Sequence, residues 1–113
     1  MKTSELTGAA LDWAVAEIEW VAHDSETNVL MVTVGDDNGW KFKPSTDWSQ
    51  GGPIIEQEML TVGPAKHQGY MAWAWPKNQG YWGDTPLIAA MRCYVASKLG
   101  DEVDVPEELL EQA

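Results

Sequence analysis

The sequence predicts an α+β fold, with three main helices and an antiparallel sheet of about four strands in the order αββαββα. Three observations carry this. Apolar residues recur at helical spacing near both ends of the chain, while β-branched and aromatic residues gather at 28–34, 40–43 and 70–75. Segments rich in glycine and proline separate these stretches.

The first helix is expected to start near Thr7, which can cap the orphan amides while Leu6 and Leu11 sit at staple spacing around it. Leu11, Val15, Ile18 and Ala22 form the face to be buried. Trp13 and Trp20 fall on the opposite face beside Asp12, Glu17 and Glu19, where they either lie against a neighbouring segment or form an association surface.

Asn28 to Val34 is apolar on both faces and reads as a central strand. The turn Gly35 to Gly39 returns it to the alternating Trp40 to Lys43. Pro44 ends that strand. Ser45, Thr46 and Asp47 then offer caps for a helix anchored by Ile54, Ile55 and Met59, interrupted or restarted at Gly51-Gly52-Pro53. Leu60 to Val62 is a short strand broken by Gly63-Pro64, Tyr70 to Trp75 alternates as a strand, and Tyr81-Trp82 begins a short return.

The last helix is capped by Asp84 or Thr85, opens on Pro86 and runs to about Leu99 before Gly100 stops it. Leu87, Ile88, Met91, Tyr94, Val95 and Leu99 make one side large, and Ala89, Ala90, Cys93, Ala96 and Ser97 make the other small, which predicts close packing on both sides. From about residue 100 an acidic tail follows, with Val103, Val105 and Leu109 packing back before a short helix from Pro106.

At 113 residues the chain suits one domain with one core. No apolar run approaches the roughly 18 residues needed to cross a bilayer. The first residues carry one lysine and no continuous apolar stretch, so neither an anchor nor a secretory leader is expected and the protein is placed in the cytoplasm. Its single cysteine excludes an internal disulfide. The net charge of −11 argues against binding nucleic acid or an anionic membrane. Eight acidic residues lie in 1–39 and six in 99–113, whereas 60–98 is mildly basic.

Three segments, LTGAALDWAVA at 6–16, PSTDWSQGGPIIE at 44–56 and TPLIAAMRCYVASKLGDEVDVPEEL at 85–109, resemble the NinX-like family of tailed-bacteriophage proteins. Together they span 49 residues. The resemblance implies a phage or prophage accessory gene expressed in a bacterial host, and a fold similar to small phage domains in which an antiparallel sheet is sandwiched between helices. It implies no catalytic residue.

The most chemically varied stretch is the loop PSTDWSQGG. Ser45, Thr46, Asp47, Trp48, Gln50, Gly51 and Gly52, with Arg92 as counter-charge beside Lys41 and Lys43, form the candidate ligand- or partner-binding set. Glycines admit a ligand closely, a helix N-terminus favours an anion, and an indole can stack. The competing reading makes the polar residues plain helix caps and Trp48 a core plug; the expectation lies between, with Trp48 partly buried and Gln50 and the Gly51-Gly52 backbone open. Gly52 is not followed by the lysine and hydroxyl residue of a phosphate-binding loop.

No catalytic constellation stands out. Cys93 lies mid-helix among apolar neighbours, away from His23 and His67. Neither histidine has a spaced second ligand, so no metal or cofactor is expected. Glu56 and Glu58, two apart, diverge on a helix. Arg92 is expected to pair with a carboxylate at the core edge. The chain therefore reads as a non-enzymatic protein that binds a host or phage protein partner, with Trp13 and Trp20 as a further interface and a homodimer as one arrangement. The alternative is a small-molecule binder that sequesters a nucleotide-like signal through the 45–52 loop.

Overall fold

The computed structural model describes residues 1–19, 31–32, 40–41, 43–74 and 80–105. A 3-10 turn at Thr3–Glu5 leads into α1 (Gly8–Glu19); β1 (Met31–Val32) and β2 (Trp40–Lys41) follow, then α2 (Trp48–Gln57), β3 (Leu60–Pro64), β4 (Tyr70–Ala74), β5 (Gly80–Gly83) and α3 (Pro86–Leu99). Among the described residues the fold is α+β with three main helices, as expected, but in the order αββαβββα rather than αββαββα. The sheet differs: β3, β4 and β5 form a three-stranded antiparallel sheet, and β1 pairs with β2 as a separate ribbon, Met31 opposite Lys41. Gly63 and Pro64 do not break β3 but pair with Met71 and Tyr70, which an edge strand permits because its outer amides have no ladder to serve.

α3 is the centre of the molecule. It packs against all three strands of the larger sheet and against α1, α2 and the 3-10 turn. Leu87, Ala89, Ala90, Met91, Cys93, Tyr94, Val95 and Ala96 are buried, so the helix is covered nearly all round, as its small residues foretold. Thr85 caps it by accepting the Ile88 amide, Pro86 opens it, and Gly100 closes it at φ 93°. Gly83 lets β5 approach: a Cβ there would meet the Ala89 backbone, with Ala89 Cα at 2.9 Å. Among the described residues the layers thus run sheet, α3, α1.

α1 starts where expected, the Thr7 carbonyl accepting the first amide from Leu11. Leu6, Leu11 and Val15 are fully buried and Ile18 packs on the same cluster. Asp12, assigned to the wet face, is instead buried. α2 runs unbroken through Gly51, Gly52 and Pro53 from an Asp47 cap, not restarting at Pro53. At the end of the chain, Thr3 N–H donates to Asp101 O at 2.7 Å and Val103 N–H to Met1 O at 2.9 Å, pairing 1–3 with 101–103. Val103 is buried and Val105 packs beside it. Ala22, Leu109 and the short helix expected from Pro106 lie outside the described residues.

Candidate functional site

The segment ahead of α2 is a tight turn, Thr46 and Asp47 both donating their amides to Lys43 O. Asp47 is extended (φ −119°, ψ 111°), the cap geometry, and its Oδ1 accepts the Ser49 amide at 2.9 Å and the Ser49 hydroxyl at 2.6 Å. The Ser49 hydroxyl and amide, with help from Gln50 and Lys43, hold the Asp47 carboxyl below its ordinary range. Gln50 closes the turn from both sides, Nε2 donating to Asp47 Oδ2 at 3.2 Å and Oε1 accepting the Lys43 amide at 2.7 Å.

Beneath the turn, the Ser45 amide donates to Asp12 Oδ1 at 2.9 Å in a buried hydrogen bond. Burial pushes the Asp12 pKa up, against the pull of the Ser45 amide, the nearby Ser45 hydroxyl and Lys43. The Ser45 hydroxyl is buried and makes no hydrogen bond among the described residues. Gly51 is enclosed: a Cβ there would meet the Pro44 carbonyl oxygen, and Leu87 Cδ2 of α3 at 2.7 Å. The expected open Gly51 backbone is therefore corrected. The glycine serves contact between α2, the turn and α3.

Trp48 departs from expectation in the other direction. It is not a plug but 57% exposed, its ring edge beside Gly52, where a Cβ would stand 3.8 Å from Trp48 Cε3. Thr46 is exposed as well. Asp47, Ser49 and Gln50 are spent on one another and on the backbone, so what this segment presents outward is an indole on a rigid, capped helix start.

Arg92 is not brought to this loop. Its Nε donates to Leu6 O and its Nη1 to Trp82 O, each at 2.7 Å, tying the entry of α1 to β5. It stands five residues beyond Leu87, roughly 140° around the helix from the residue that meets Gly51. Burial lowers its pKa, and Asp84 partly offsets this. The partner expected for it was a carboxylate; the hydrogen bonds it makes are to backbone carbonyls.

Trp13 is partly buried and packs on the core, while Trp20 and His23 lie outside the described residues. Among the described residues no His, Cys, Asp and Glu side chains cluster closely enough to hold a metal ion. A cavity of about 160 Å³ opens at the terminal pairing, lined by Lys2, Ser4, Tyr81, Asp101 and Glu102. There the Tyr81 hydroxyl donates to Asp101 Oδ1 at 3.1 Å, and burial pushes its pKa up.

Sequence reasoning missed the burial of Asp12, and it expected Met59 to anchor α2 beside Ile54 and Ile55, which the exposure of Met59 contradicts. Met59, just past α2, is 73% exposed and holds φ 54°, the left-handed region usual for glycine. Nothing in the local pattern marks either residue.

Residues 2–98 match the family model described as Bacteriophage P22, NinX. No curated protein matches the chain.

Proposed function

The chain belongs to the NinX family of bacteriophage proteins, and from that premise we propose that this phage accessory protein works by binding a protein of host or phage, without a catalytic step, in the host cytoplasm. The observation that carries the reading is Trp48, a large aromatic left 57% exposed on a helix whose start is otherwise locked by hydrogen bonds. Tryptophan is the residue most enriched at binding hot spots, and a preorganised ring loses little entropy on docking. No described helix is long and apolar enough to cross a membrane, in keeping with a partner met in solution.

The small-molecule reading has less support, because Asp47 and Gln50 are committed to internal hydrogen bonds, Ser45 is buried and Gly51 is enclosed. The test is a pull-down from phage-infected host lysate with the wild-type protein and Trp48→Ala, at low and moderate salt. A protein retained by the first and lost by the second supports the reading; recovery no greater than a bait-free control overturns it. A thermal-shift screen against nucleotides is expected to stay flat, since a ligand preferring the folded state would raise the melting temperature.

A further inference from the structure

Exposed apolar side chains stand at the two ends of α2, with Ile55 between them packed in part on the core. Trp48, Gly52 and Ile55 are spaced i, i+4, i+7 and share one helix face, and Met59 follows directly past the cap residue Glu58. Trp48 and Met59 are exposed at the two ends, with Gly52 and Ile55 half-buried between. Eleven residues of helical rise put the two ends about 16 Å apart, a span that one short partner helix can cover.

Met59 shows that this stripe is more than incidental exposure. Among the described residues it is the one non-glycine with positive φ. Packing alone favours glycine or asparagine at such a helix end. A bulky side chain there strains the backbone and stays in water, a double cost that points to use.

Charge selects the occupant. Asp47, Glu56 and Glu58 border the stripe against Lys43, Glu58 being held by Lys98 at 3.0 Å. The whole chain carries −11. A second copy would bring like charge against like, whereas a cationic segment is attracted over the whole approach. We propose that the Trp48–Ile55–Met59 face of α2 docks a cationic amphipathic helix of a protein partner. This rests on the partner-binding reading and adds the chemistry of the partner.

The test titrates a labelled Leu/Lys amphipathic helical peptide into the wild-type protein, Trp48→Ala and Met59→Gly, following anisotropy at about 0.15 M salt, where long-range attraction is screened. A Leu/Glu peptide and a Lys-rich peptide lacking leucine serve as controls. The Leu/Lys peptide should bind about tenfold or more tighter than either control, and each substitution should weaken it by about tenfold, a loss of about 1.4 kcal/mol. Met59→Gly should melt no lower than wild type, so its loss of binding is not a loss of fold. Equal binding by wild type and both variants overturns the proposal, as does equal binding of the leucine-free peptide or self-association abolished by Trp48→Ala. If the pull-down yields a Trp48-dependent partner while the peptides fail, the cationic-helix proposal falls and the partner reading stands.

Discussion

Ser45 donates its buried backbone amide to Asp12 Oδ1 at 2.9 Å, joining the turn ahead of α2 to the middle of α1 across 33 positions of sequence. Asp12 is only 7% exposed and Ser45 1%. Asp12→Ala leaves the Ser45 amide buried without this acceptor and should cost about 1–3 kcal/mol in urea unfolding. Asp12→Asn keeps an acceptor, removes the buried charge and offers a donor to the Ser45 hydroxyl, so it should stay within about 1 kcal/mol of wild type.

The same pair sets a pH dependence. The Asp12 pKa is raised in the folded state above the ordinary 3.8, so between 3.8 and that raised value the folded chain binds more protons than the unfolded one. Stability from this group therefore increases as pH falls through the folded pKa, and levels off below 3.8. Unfolding titrations of wild type and Asp12→Asn across this range should show the variant's relative advantage shrinking toward acid. An advantage that grows toward acid would contradict a raised pKa.

Elements marked by local chemistry were legible in the sequence. Thr85-Pro86 and Gly100 bracket α3, and the small residues on one of its sides announced that it would be covered all round. Elements decided by distant contacts were not. A helical wheel sets Asp12 one residue round from Leu11, off the apolar face, and cannot know that Ser45 folds over it. Gly51-Gly52-Pro53 reads as a break, yet Gly51 answers to the Pro44 carbonyl and Leu87, both brought there by the tertiary fold. Trp48 reads from the sequence as a candidate site residue, but its degree of exposure depends on where the turn ends and α2 begins.

Gly51 and Gly52 should respond oppositely to alanine. At Gly51 the added methyl meets backbone oxygen of Pro44 and Leu87 Cδ2 at 2.7 Å, and overpacking of this kind costs about 1–3 kcal/mol. At Gly52 the nearest atom is Trp48 Cε3 at 3.8 Å, ordinary contact, so the change should gain up to about 1 kcal/mol by lowering the entropy of the unfolded chain. Chemical denaturation of the two variants compares them directly.

Arg92 spans two backbone carbonyls that belong to different elements, Leu6 O and Trp82 O. Arg92→Met keeps the aliphatic stem but removes both donors, and should cost about 1.5–3 kcal/mol, the range for hydrogen bonds from a charged group. Arg92→Lys should recover only part, since one ammonium does not reproduce the guanidinium fork. Full recovery by lysine in a urea titration would show that charge, not geometry, is what the site uses.

Trp48 and Met59 are the residues where stability and binding should part. Leu11, fully buried, should lose about 2–5 kcal/mol on truncation to alanine, the range for deleting a core side chain. Trp48→Ala removes a larger side chain but one that is mostly in water, so its loss should be under about 1 kcal/mol. Met59→Gly should be positive: glycine occupies φ 54° without the clash that a Cβ brings, and relief of that strain outweighs the added freedom of the unfolded chain by about 0.5–1 kcal/mol. Thermal and urea unfolding of the three variants should therefore rank them Met59→Gly, wild type, Trp48→Ala, Leu11→Ala from most to least stable. A Trp48→Ala loss as large as that of Leu11→Ala would make the indole a structural element, and with it the α2 face would cease to be a docking surface.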